Sequence, residues 1–136
     1  MAGAGFLGAE WLVLARELFG DVPPRPGATA RVQRVVTGAP GGDVLFTLTF
    51  EDGRLLDAAL TAGSEPDPGA EVTITTTYAD ALRLASGDLD LNVAVMQGRA
   101  KVAGSMSALL AILPVTRSRE FRDARAALHE RTASSG

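Results

Sequence analysis

The chain contains no cysteine, which excludes disulfides, thiolate metal sites and cysteine nucleophiles. It has one histidine, His129, so a Ser-His-Asp arrangement has no natural centre. His129 lies near the chain end among charged residues, where a solvated position is expected. One histidine with dispersed carboxylates also lacks metal-ligand spacing, and neither a metal nor a cofactor is expected. Aromatic residues are 5% of the chain, too few for a base-stacking platform. The net charge of −3 gives no electrostatic reason for a nucleic-acid partner. No apolar run approaches the ~18 residues of a membrane span. The opening segment MAGAGFLGAEWLVLARELFG lacks a basic n-region and is interrupted by Glu10, Arg16 and Glu17. It is therefore read as a helix rather than a leader, and a soluble cytoplasmic protein is expected. The glycine clusters AGAGFLG and GAPGG lack the strand-to-helix context of a phosphate loop, so no nucleotide site is expected. Lysine occurs once, at Lys101, against abundant arginine, alanine and glycine. That bias fits a GC-rich bacterial coding sequence.

What remains is a 136-residue chain, 46% apolar, of single-domain size. A chain of this length buries roughly 65–70% of its unfolded surface, enough for a core without staples. Leu7, Trp11, Leu14 and Leu18 fall on one face of an amphipathic helix spanning about residues 6–19, with Glu10 and Glu17 opposite. Gly20 and the proline-rich VPPRPG end it, so residues 1–26 form helix and linker. The period then changes to two. Strands are predicted over 30–37, 43–50, 54–61, 71–76 and, shorter, 99–103. The Asp52-Gly53 pair between the second and third signals a tight hairpin. AGSEPDPGA reads as an exposed loop and the final TASSG as a frayed tail.

The second half is helical at three places. Thr77 with Asp80 has capping-box spacing, and Gly87 follows as a C-terminal stop. Asp90 or Asn92 can cap a short turn closed by Gly98. Ser105 caps a helix whose Met106, Leu109, Leu110 and Leu113 make an i, i+3, i+4, i+7 stripe, with Pro114 predicted to end it. A last helix over about residues 117–131 carries Phe121, Ala124 and Leu128 among arginines.

The order and spacing of these elements, with GDLDLNVAVMQGRAKVAGSM as the most specific stretch, resemble the sterol carrier protein 2 (SCP-2) family. The resemblance runs from about Trp11 to Leu113. It departs from the family at Ser105, where many members are acidic, and in ending on Ser135-Gly136 rather than a peroxisomal tripeptide. The resemblance implies an α+β fold: a five-stranded, mostly antiparallel sheet covered on one face by helices. It also implies an apolar tunnel that binds, and in transfer proteins delivers, acyl chains, sterols or other lipids. A volume of about 300–1,000 Å³ would suit such a ligand.

The expected lining residues are Phe46, Leu48, Phe50, Ile74, Met96, Met106, Leu109, Leu110 and Leu113. Ordinary core is the competing reading for each of them, and alternation alone does not say which strand face meets a cavity. The arginines of the last helix suit either a solvated face or a mouth meeting a lipid headgroup, a membrane surface or an acyl carrier. Phe121 and Leu128 would make that helix a lid. No reactive set stands out, so binding is favoured over catalysis. The alternative is an enzyme or accessory protein of bacterial secondary metabolism that positions a polyketide, terpenoid or acyl substrate in the same cavity. Asp57 or Tyr78 would assist it. Asp88 and Asp90 are read as loop and capping residues.

Overall fold

The structure, a computed structural model, describes residues 6–60 and 69–132. Most of the loop predicted over AGSEPDPGA, the last residue of the third predicted strand and the tail beyond Thr132 lie outside the described residues. Five strands make one mixed sheet: β1 (Ala30–Thr37), β2 (Val44–Glu51), β3 (Arg54–Leu60), β4 (Val72–Thr77) and β5 (Lys101–Gly104). Their order across the sheet is β3-β2-β1-β4-β5. Only β1 and β4 run parallel, and the other three pairings are antiparallel. Among the described residues five helices complete the fold: α1 (Ala9–Gly20), α2 (Tyr78–Ser86), α3 (Leu91–Met96), α4 (Met106–Thr116) and α5 (Arg119–Arg131). The α+β class is the one the sequence predicts.

Local chemistry explains the boundaries. Asp52 (φ 49°) and Gly53 (φ 82°) take the paired positive dihedrals that a two-residue β2–β3 hairpin demands. The linker after α1 is pinned on this tip, where the Arg25 N–H donates to the Asp52 carbonyl at 2.6 Å. The Thr77 hydroxyl accepts from the Asp80 N–H at 3.2 Å and starts α2 directly off β4. Asp90 caps α3 by accepting from the N–H groups of Asn92 and Val93. Ser105 accepts from the Ala108 N–H at 3.1 Å and starts α4.

Pro114 does not end α4. The helix runs on to Thr116 because the proline sits exposed in its final turn. There the hydroxyls of Thr116 and Ser118 donate to the carbonyls of Leu113 and Val115, each at 2.7 Å.

Register puts Ala30, Val32, Arg34 and Val36 of β1 beside Phe50, Leu48, Phe46 and Val44 of β2. On the other side of β1, Val32 and Arg34 meet Val72 and Ile74 of β4. These residues share one sheet face, together with Thr76 opposite Val36, and it is apolar except at Arg34 and Thr76. Against its β4 side Leu109 and Ile112 of α4 are buried with Ile74, giving a packed core. Against its β2–β3 side the chain places α1 and α5, which contact each other and leave a hollow.

Candidate functional site

The hollow is a cavity of about 150 Å³. Its floor is Arg34, Phe46, Leu48, Phe50 and Leu55 of β1–β3. Phe6, Leu7, Trp11, Ala15 and Phe19 close one wall, from α1 and the residues before it. Phe121, Arg125, Leu128 and His129 of α5 close another, and α2 supplies Ala81, Leu84 and Ala85. All five phenylalanines and the only tryptophan of the chain line this one space. Their rings interlock: Trp11 meets Phe6 edge-on at 5.2 Å and Phe46 at 6.1 Å, and Phe19 meets Phe121 at 4.5 Å. Leu7 is turned inward by a left-handed backbone (φ 64°), a conformation uncommon for leucine. The cavity is smaller than the volume expected from the sequence.

Polar groups stand at two levels. Asp90, Arg125, His129 and Thr132 form a partly exposed rim, with the Asp90 carboxylate already engaged in capping α3. Arg34 is deep. One terminal nitrogen donates to the buried Thr76 hydroxyl at 3.1 Å, and the guanidinium carbon lies 5.9 Å from the centre of the Phe46 ring. Its Nε is buried with no partner among the described residues. Burial lowers its pKa from the usual guanidinium range to about 10, so it remains charged at neutral pH. The buried indole N–H of Trp11, on the same wall, likewise finds no acceptor among the described residues.

Of the residues expected to line the site, Phe46, Leu48 and Phe50 lie on the cavity floor. Ile74 and Leu109 are 1% exposed in the packed half and do not reach it. Met96, Met106 and Leu110 are 86%, 57% and 62% exposed, outside the interior altogether. Leu113 is half-buried and sits with Leu110 in a shallow surface depression between Arg25 and Arg117.

The physical reason lies in α4, where nearly every position is apolar. The buried set Ala108, Leu109, Ile112 and Val115 fits helical spacing as well as the predicted stripe does. Short α3 buries only Ala94, leaving Met96 at its free end. Sequence reasoning missed Arg34 and the aromatic ring of walls. The available signal was a charged residue in phase with Val32 and Val36 on a buried strand. Asp57 is exposed on β3, Tyr78 packs against Phe6 outside the lining, and His129 is exposed at the rim.

Comparison with known proteins adds to this geometry. Residues 26–115 match the SCP-2 sterol transfer family. Human and orangutan (Pongo abelii) hydroxysteroid dehydrogenase-like protein 2 are 33% identical over 62% of this chain. The match spans 23% of the length of those relatives. A conserved hypothetical protein of Thermus thermophilus superposes with a TM-score of 0.71 at 17% identity, covering 99% of this chain and 97% of that one. A crystal structure of sterol carrier protein 2 gives 0.65 at 16% identity, covering 95% and 99%. Palmitated sterol carrier protein 2-like 2 of Aedes aegypti gives 0.61 at 17% identity, covering 87% and 96%. These structures share the fold.

Proposed function

This chain belongs to the SCP-2 sterol transfer family, and from that premise we propose that it binds and transfers a lipid, such as an acyl chain or sterol, held in the cavity between α1, α5 and the β1–β3 half of the sheet. The observation that carries this reading is the gathering of every phenylalanine and the tryptophan around one hollow. A protein that needed those rings only for packing would use them to close the space. Burial of apolar ligand surface at roughly 25 cal/mol per Å² then supplies the affinity without a dedicated partner group. Trp11 makes the reading directly testable. Titrating lipid-free protein with a brominated long-chain fatty acid, and with the matching alcohol, should quench Trp11 fluorescence saturably at one ligand per chain. No saturable quenching by either would overturn it.

Transfer also requires contact with a donor or acceptor surface. The exposed Met96, Met106 and Leu110, with Arg25 and Arg117 beside Leu110, support an anionic membrane as that surface. Vesicles rich in anionic lipid should therefore sediment the protein, and Leu110→Asp should weaken that binding. The alternative of an enzyme that positions a polyketide or terpenoid has less support, since Asp57 and Tyr78 are both outside the cavity lining.

A further inference from the structure

We infer that Arg34 is an internal counter-charge that selects ligands with an anionic, carboxylate-type head and draws that head inward, to the floor of the cavity beneath Trp11. The inference rests on the lipid-binding reading and names the class of lipid. Four observations meet at this point. A guanidinium stands on a sheet face whose one other polar side chain in the β1–β4 register is Thr76, between Val32 and Val36 on its own strand and flanked by Phe46 and Ile74 on its neighbours. Its contacts are weak for a buried charge: one hydroxyl, and the face of one ring at 5.9 Å. No carboxylate pairs with it among the described residues, and its Nε is unpartnered. The Trp11 indole N–H, whose ring packs on the same Phe46, is a second donor without an acceptor.

Two orphan donors, one of them cationic, belong to residues of one cavity lining, where hydrocarbon alone would suit a sterol or alkane. A buried charge without its partner is the unfavourable half of an ion pair. A ligand carboxylate entering the cavity would complete that pair, accepting from the Arg34 fork in charge-assisted hydrogen bonds. A neutral head would leave the charge unmet. The tail would then run outward along Phe19, Phe121 and Leu128 toward the α5 rim.

The test compares a brominated long-chain acid, the alcohol of equal length and the methyl ester on lipid-free protein, reading Trp11 quenching. The acid should bind about 10- to 100-fold tighter than the alcohol or ester, the range expected for hydrogen bonds to a charged group. Arg34→Met should abolish that ratio while still binding all three, and Arg34→Lys should keep part of it. A carbon-13 label on the acid carboxyl adds a readout that a structural role would not move. Beside Arg34 the bound carboxyl should titrate well below the free acid, and in Arg34→Met it should not. Equal binding of acid and alcohol by the natural protein, or a ratio unchanged in Arg34→Met, would overturn the assignment while leaving the cavity reading intact. Failure of all three ligands to bind would instead overturn the cavity reading. A carboxyl that titrates like the free acid would show the head outside and overturn the inward orientation.

Discussion

Arg34 separates stability from function at the scale of one side chain. Burial depresses its pKa to about 10 because the charged form is the one disfavoured in the folded protein. Each unit of such a shift is worth about 1.4 kcal/mol, so holding this charge costs the ligand-free fold about 3 kcal/mol in order of magnitude. The sign follows from proton counting. Below about pH 10 the residue is protonated both folded and unfolded, and the cost is constant. Between about 10 and the higher pKa of a solvated guanidinium the unfolded chain holds more protons, so stability from this group rises with pH there. Arg34→Met should accordingly raise the melting temperature of lipid-free protein by several degrees. That gain should be flat across neutral pH and narrow in the alkaline range. A lower melting temperature for the variant would mean that Thr76 and Phe46 hold the guanidinium more favourably than burial penalises it. The sequence shows the alternation of β1 but not this role. An arginine on a strand usually signals a solvent-facing side, as Arg31 does here, and only the β2 and β4 registers reveal that both neighbours of Arg34 are buried.

At the scale of elements, the signals that set backbone dihedrals were legible and those that rotate a helix were not. Thr77, Gly87, Asp90 and Ser105 act at the helix ends assigned to them because capping depends on a local hydrogen bond. The buried faces of α1 and α4 differ from the predicted stripes because small alanines decide them. Ala15 and Ala108 let their helices approach the interior, a choice that apolar periodicity does not encode.

Gly104 shows how strict the dihedral signals are. It ends β5 at φ 105°, and an added Cβ would lie 2.6 Å from the Glu71 carbonyl oxygen on the neighbouring chain segment. Gly104→Ala should cost about 2 kcal/mol or more from the left-handed backbone and the clash together, measured by denaturant unfolding. Helix α5 responds differently. Phe121 holds α5 on α1 through Phe19 and also lines the cavity. Phe121→Ala should speed lipid dissociation several-fold in stopped-flow exchange, with only a modest change in association. An unchanged dissociation rate would remove α5 from the exit path.

For the whole molecule the decisive quantity is how much of the interior is hollow. The fold predicted an open space between sheet and helices, but side chains fill its β4 half and leave about 150 Å³ in the β2–β3 half. Volume was not legible in sequence because the same apolar residues can pack against one another or stand apart, depending on where α1 and α5 come to rest. A space this size takes only part of a long-chain lipid, since sites for larger ligands occupy about 300–1,000 Å³. The remainder of the chain must either project past the rim or push α5 outward. The two outcomes differ in a chain-length series from octanoate to palmitate. While the tail enters preformed space, each methylene should add about 0.8 kcal/mol. Past the point of filling, affinity should rise more slowly, because further burial requires Phe19 and Phe121 to part. Amide exchange should report the same break, with α5 and the facing turns of α1 losing protection only for acids beyond it. Strands β4 and β5, on the packed side, should keep their protection throughout. A constant gain per methylene up to palmitate, with exchange in α5 unaltered, would show that the long tail finds room without displacing α5 and would place its path across the rim at Arg125 and His129 instead.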